Sequence, residues 1–224
     1  MRRAVLFDLY NTLVPGGSFR QRWSVGLAMG RVLGVDPDAY ARAFHESWPD
    51  RFVGGLGDLT ASVRLIATRV GGSPSDQQVA RAAALRQRMY RDLVDRVSAD
   101  TLAVLDKLRA DGWSLGLVSN TSAETPWRIR AGPLAARLDA TGFSNELGVR
   151  KPDPRIYLEV CDSLGVAPEQ CGYVGDGDDG ELGTAAALGM RAVRTVEHAD
   201  TDPSWRGPTV GTLAALPPLL GLPS

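Results

Sequence analysis

Val5-Leu6-Phe7-Asp8-Leu9-Tyr10-Asn11-Thr12-Leu13-Val14 decides how the rest of the chain is understood. The unbroken apolar run from Ala4 to Phe7 fits a strand buried on both faces. It ends on a carboxylate, Asp8, and small and polar residues then lead into a Pro15-Gly16-Gly17 turn. A charge at the end of a buried strand is costly to desolvate unless something pairs with it. In an open α/β sheet, the carboxyl ends of the strands are where ligands bind. Asp8 is therefore either a capped structural acid or the working carboxylate of a site.

Downstream of the turn, from about Phe19 to Val97, the periodicity is helical and no convincing strand occurs. Helices are expected over Phe19 to Leu33, from Pro37 until Trp48-Pro49 ends it, over Thr60 to Val70, and from the Ser75 N-cap to about Val97. A glycine-rich loop, Val53 to Asp58, interrupts them and is the expected specificity loop, its glycines permitting close approach and hinge motion. Helix and strand then alternate. Strands are expected over Trp113 to Val118, Leu138 to Phe143, Cys171 to Gly175 and Arg191 to Val196. Between them fall helices over Thr101 to Arg109, after Thr125-Pro126, over Pro154 to Leu164 (Asp153 as N-cap, Gly165 beyond its end) and over Glu181 to Leu188. That alternation argues a parallel, doubly wound α/β sheet. The expected domains are a core of residues 1–16 and 98–224 and an inserted helical unit of residues 17–97. The Pro-rich tail from Leu216 to Ser224 reads as a frayed end.

Composition narrows the function classes. The chain has 224 residues, 44% hydrophobic and 23% charged, with net charge −1. That suits an ordinary globular protein and gives no electrostatic case for nucleic acid or an anionic membrane. Cys161 and Cys171 form no metal pattern and read as buried thiols. Met1-Arg2-Arg3 before an apolar run mimics a signal peptide, but Asp8 cuts the run short, so the cytoplasm is the expected location.

Four strand ends carry polar residues in order: Asp8, Ser119-Asn120, Lys151 in Arg150-Lys151-Pro152-Asp153-Pro154, and Asp176 after Gly175. Each alone is an ordinary cap or loop. Together, with Thr12 four residues after Asp8, they make the chain similar to the haloacid dehalogenase superfamily along its whole length. The resemblance implies a Rossmann-like sheet of order 3-2-1-4-5 with a helical cap inserted after the first motif. It implies Asp8 as the nucleophile, Thr12 and Ser119 as hydroxyl donors, and Lys151 as the counter-charge that keeps Asp8 ionised. It also implies Mg²⁺ held by Asp8, Asp176 and the backbone carbonyl of Tyr10. Asn120 either orients substrate or caps the next helix.

Two features depart from the pattern of family phosphatases, and they conflict. Tyr10 stands where those enzymes carry a second Asp that protonates the leaving group. An ordinary phenol, with a pKa of about 10, is a poor base near neutrality. The dehalogenase branch carries Tyr at this place, and halide needs no proton to leave. The fourth motif, Gly175-Asp176-Gly177-Asp178-Asp179-Gly180-Glu181, is instead acidic and phosphatase-like, with Asp178, Asp179 or Glu181 as further candidates beside the metal. The acidic motif weighs more, because Asp176 puts an anion where no anionic substrate wants one without a metal. The expectation is Mg²⁺-dependent hydrolysis of a phosphomonoester or acyl phosphate through an aspartyl-phosphate on Asp8. The alternatives are 2-haloacid dehalogenation through an ester on Asp8, and a family member that binds without turnover. The expected partner is a small anionic substrate, bound by Asn120 and Tyr10 among others.

Some residues read blandly. Arg20, Arg22 and Arg51 are expected at the surface, with an anionic substrate tail as the alternative. Arg81, Arg86, Arg88 and Arg91 read as a solvated helix face. His45 reads as a packing or surface residue, with leaving-group protonation by His45 or Glu46 as the alternative.

Overall fold

β1 (Arg3–Phe7) lies inside a six-stranded sheet, paired in parallel with β2 (Trp113–Ser119) on one side and β4 (Cys171–Gly175) on the other. The computed structural model describes residues 3–220. Met1-Arg2 of the signal-like start and the last four residues of the Pro-rich tail lie outside them. β3 (Ala140–Phe143) flanks β2, while β5 (Arg191–Thr195) and β6 (Thr209–Val210) follow β4. Every pair is parallel, and the order is 3-2-1-4-5-6. The implied 3-2-1-4-5 arrangement is thus present with one more strand at its edge. β6 has two residues, too few to show any period.

Side chains alternate across the sheet, so β1 feeds two cores. Val5 and Phe7 join Leu105, Leu108, Leu115 and Leu117 on one face. Ala4 and Leu6 join Ile156, Tyr157 and Val160 on the other. Each large apolar side chain buried this way contributes roughly 1.5–3 kcal/mol. Coverage of both faces is why β1 reads as a continuous apolar run. The covering helices are α6 (Ala99–Ala110), α7 (Pro126–Ala131), α8 (Ser144–Leu147), α9 (Pro154–Leu164), α10 (Glu181–Ala187) and α11 (Leu216–Leu219). α9 lies tight on the sheet because Gly116 and Gly142 face it: a Cβ on either would sit 2.7 or 2.6 Å from Val160. The Cys161 and Cys171 thiols are buried, 3.7 Å apart and unbridged.

Between β1 and α6 come five helices: α1 (Phe19–Leu33), α2 (Pro37–Glu46), α3 (Trp48–Phe52), α4 (Leu59–Arg69) and α5 (Asp76–Val94). α1, α2, α4 and α5 share a separate core that includes Met29, Tyr40, Phe44, Val63 and Ile66. Ser75 caps α5 in a reciprocal pair with Gln78, with the Ser75 N–H donating to Gln78 Oε1 at 2.9 Å. No helix among the described residues is long and apolar enough to cross a membrane.

Two expectations need correction. Trp48-Pro49 does not end a helix. α2 stops at Glu46, and Trp48-Pro49 opens α3, where proline's missing N–H costs nothing in the first turn. The tail is not frayed over its described part. α11 forms at Leu216, and Leu216 and Leu220 are buried against the same core as Val5 and Phe7.

Candidate active site

Asp8 directly continues β1, its N–H donating to Val174 O at 2.9 Å. The chain then curls, with Asn11 in the left-handed region at φ 61°. Asn tolerates that region better than most non-glycine residues. The curl lets the Asn11 side chain accept from Gly16 N at 2.9 Å and donate to Asp176 Oδ2 at 3.0 Å. Asp176 Oδ1 accepts from Asp178 N at 3.1 Å. The loop after β1 is thereby tied to the loop after β4.

Lys151 reaches the same point from the turn before α9. Its Nζ donates to Asp8 Oδ1 and to Glu181 Oε2, each at 2.5 Å. The Tyr173 hydroxyl donates to Glu181 Oε2 at 2.6 Å, and Gly177 N donates to Glu181 Oε1 at 3.1 Å. Asn120 closes the ring: its side chain accepts from Lys151 N at 2.8 Å and donates to Asp179 Oδ2 at 2.7 Å. Asp8, Asp176, Glu181 and Lys151 are all buried.

Burial sets the electrostatics. It raises the Asp8 carboxyl, Lys151 pulls it back and Asp176 pushes it up again, and the balance lies above the ordinary value. Burial likewise pushes Glu181 up to about 7 against the pull of Lys151. Burial alone would lower the Lys151 ammonium, but Asp8 and Glu181 outweigh it and hold it above its ordinary value. Three buried carboxylates thus face one ammonium, and negative charge is in excess. Asp8, Asp176 and Glu181 each offer an oxygen within 4.8 Å of the others, a donor set that suits a hard divalent cation. Glu181 accepts three hydrogen bonds, Asp176 two and Asp8 one from Lys151, so Asp8 and Asp176 have the freer lone pairs.

Thr12, four residues after Asp8, and Ser119, beside Asn120, are buried, and neither hydroxyl has a hydrogen-bond partner among the described residues. Buried polar atoms are rarely left so, and each such orphan needs an explanation. Tyr10 projects elsewhere. Its hydroxyl lies 3.0 Å from Thr125 Oγ1, and its ring meets Tyr90 edge-on with centroids 6.0 Å apart. Burial, then Tyr90, holds the phenol well above its ordinary pKa, so it keeps its proton.

Asp8, Lys151, Asp176, Asn120 and Tyr10 all border one cavity of about 430 Å³. Its other walls are largely aromatic, with Trp23, Phe44, Trp48, Phe52 and Tyr90. His45 also borders it, at 5.2 Å from the exposed Phe19 ring. Arg22 borders it and donates to Gly17 O, whereas Arg20 is exposed. The specificity loop expected over Val53 to Asp58 does not line it. Gly54 is pressed instead against the backbone of Asn145, where a Cβ would meet the carbonyl oxygen at 2.3 Å.

Two arginines depart from the surface role expected of them. Arg86 is buried at 4% exposure and Arg51 at 6%, while Arg81, Arg88 and Arg91 are exposed. Arg86 Nε donates to Glu124 Oε1 at 2.7 Å, and its other arm donates to the Tyr90 hydroxyl at 2.9 Å. Arg51 donates to Ser122 Oγ and Ser47 Oγ at 3.0 Å each and to Phe44 O at 3.1 Å. The signal for Arg86 lies in its spacing: it falls in the stripe of Val79, Ala82, Ala83, Met89, Tyr90 and Leu93 that α5 buries. Glu124 carries no comparable signal, since it sits in a loop whose fold is not periodic.

A family model described as haloacid dehalogenase-like hydrolase matches residues 2–189. The chain belongs to the haloacid dehalogenase-like hydrolases. A glyceraldehyde 3-phosphate phosphatase from Methanopyrus kandleri is 28% identical over 197 residues, covering 87% of this chain and 84% of that protein. Two crystal structures share the fold. A phosphatase of this superfamily from Thermococcus onnurineus superposes with TM-score 0.70 at 23% identity, covering 98% of both chains. A 2-haloacid dehalogenase from Pseudomonas syringae superposes with TM-score 0.75 at 21% identity, covering 99% of both. This haloacid dehalogenase-like hydrolase is therefore an enzyme whose relatives include both phosphatases and dehalogenases.

Proposed function

We propose that this hydrolase is a Mg²⁺-dependent phosphatase that acts on phosphomonoesters or acyl phosphates through a phosphorylated Asp8. The observation that carries the reading is Asp176 beside Asp8, with Lys151 already shared between Asp8 and Glu181. A second carboxylate here, with no cationic partner of its own, would repel any anionic substrate unless a cation lay between them. Asp8 and Asp176, with the Tyr10 carbonyl, would hold Mg²⁺. When bound, the ion neutralises charge on the phosphoryl oxygens.

The chain's own residues then have distinct tasks. An Asp8 carboxylate oxygen bonds to phosphorus while the bond from phosphorus to the leaving oxygen breaks, and that oxygen departs with the electron pair. Water next attacks phosphorus, the bond to Asp8 breaks, and inorganic phosphate leaves the regenerated carboxylate. Lys151 favours the ionised nucleophile, and Glu181 with Tyr173 holds Lys151 in place. The orphan hydroxyls of Thr12 and Ser119 donate to the nucleophile or a phosphoryl oxygen. Asn120 positions the Lys151 turn by its two bonds. Residues 17–97 act as the cap, admitting water only after covalent capture.

Tyr10 favours the other reading, dehalogenation, because a phenol held well above its ordinary pKa is no base near neutrality, and halide needs no proton to leave. The two separate in parallel assays. Phosphate release from p-nitrophenyl phosphate or acetyl phosphate that needs Mg²⁺ and stops with chelator is expected. Halide release from 2-haloacids in chelator would establish dehalogenation instead. Silence in both, with Mg²⁺ binding seen by calorimetry, would make the protein a binder without turnover.

A further inference from the structure

The arginine pair adds a second charged region to the cavity that holds Asp8. Arg51 on α3 and Arg86 on α5 both border it, and both are buried. Among the described residues a single carboxylate, Glu124, serves them: Arg86 Nε lies at 2.7 Å and Arg51 at 3.9 Å. The other Arg51 acceptors, Ser47, Ser122 and the Phe44 carbonyl, are neutral. One guanidinium charge is thus uncompensated in a place where water does little to stabilise it. Burial, then repulsion by Arg86, lowers the Arg51 guanidinium to about 10. Arg51 also lies over the Phe44 ring, 4.2 Å from its centroid, and Trp23, Trp48 and Phe52 extend the flat apolar wall.

The cavity therefore offers an acidic, metal-suited end at Asp8, aromatic walls, and a cationic region with room for one anionic charge. An aryl group between the two ends suits the flat wall of Trp23, Phe44, Trp48 and Phe52.

We propose that the substrate is an aryl phosphate whose ring carries a carboxylate, with Arg51 and Arg86 as the carboxylate-binding, specificity-determining residues. The identity of the phosphoryl end rests on the phosphatase reading of Asp8. The arginine end stands on its own geometry. A planar guanidinium suits a carboxylate through two parallel N–H donors.

The test compares para-carboxyphenyl phosphate with its neutral counterpart, para-carbamoylphenyl phosphate. The expected preference for the carboxylate is at least about tenfold in kcat/KM, carried by KM. Arg51→Gln should erase the preference, because it removes the surplus charge and leaves the Arg86–Glu124 pair intact. Arg51→Lys should restore part of it. Equal kcat/KM for the two compounds in the unaltered protein would overturn the proposal, whether or not the variant folds. So would a preference that survives in folded Arg51→Gln.

A binding arm separates this from the phosphatase reading. Benzoate, and not benzamide, should quench the fluorescence of Trp23 and Trp48 in metal-free protein, and Arg51→Gln should abolish the quench. Arg51-dependent benzoate binding with no hydrolysis of either phosphate would reject the phosphatase reading and keep the carboxylate site. Hydrolysis without preference or benzoate binding would do the reverse.

Discussion

At the residue scale, the molecule concentrates cost in two buried polar clusters, one around Lys151 and one around Glu124. In the second, burial alone would raise the Glu124 carboxyl, but Arg86 and Arg51 outweigh it and hold it below its ordinary 4.5. A carboxyl depressed in the folded state stabilises the fold above its unfolded pKa, and that stability is lost as pH falls through the lower folded value. Glu124→Gln should therefore cost most at neutral pH, on the order of 3 kcal/mol, because two buried guanidinium groups lose the carboxylate they share. The deficit should narrow below pH 4.5. Urea melts of both proteins at neutral and acid pH check this, and a pH-independent deficit would contradict it. Single residues were unevenly legible. Asp8, Lys151 and Asp176 could be placed because each ends or follows a strand whose pattern is plain. Glu124 could not, and the burial of Arg86 is visible only if a charge is allowed inside an apolar stripe.

At the element scale, close approach between helices depends on absent side chains. α1 meets α2 through Gly26 and Gly30; a Cβ on Gly30 would sit 2.8 Å from Pro37 Cα, and one on Gly26 3.1 Å from Ala41 Cβ. Two opposed effects govern Gly30→Ala. Helix propensity would gain about 1 kcal/mol, while overpacking against backbone costs about 1–3 kcal/mol. The expected net result is a loss of up to about 2 kcal/mol, seen as a lower Tm; a higher Tm would show that α2 yields freely. Elements with caps and clean periods were legible in sequence. α9 is the clearest, with Asp153 accepting from Arg155 N and Gly165 at φ 65° closing it. Short elements are not: Trp48-Pro49 suggests a helix end where α3 begins, and Leu-Pro-Pro-Leu suggests a loose tail where α11 forms. Pro49 sits harmlessly in the first turn of α3, and at the tail the burial of Leu216 and Leu220 outweighs what the prolines suggest locally.

At the scale of the whole molecule, the sheet gathers residues far apart in sequence. Asp8 and Asp176 converge because β1 and β4 are neighbours, and Lys151 joins them from the turn before α9. The order of strands was legible through the family resemblance rather than through any periodicity. The packing of the helical segment over Asp8 was not legible at all, which is why the lining came from Trp48, Arg51 and Phe52 and not from the glycine loop. Excess negative charge at the junction predicts that Mg²⁺ stabilises the folded protein. At a concentration one hundred times Kd the gain is about 2.7 kcal/mol. Tm should rise with Mg²⁺ and fall back with chelator, and Asp176→Asn should abolish the shift. An unchanged Tm in saturating Mg²⁺ would remove the metal from the account.

The central claim is that Asp8 itself becomes phosphorylated. Acid quenching during turnover of acetyl phosphate with Mg²⁺, followed by peptide mass spectrometry, addresses it directly. The account predicts a hydroxylamine-sensitive phosphoryl group on the peptide that contains Asp8, and neither label nor turnover in Asp8→Asn. Comparable phosphate release by Asp8→Asn, or rapid turnover that never labels Asp8, would contradict it.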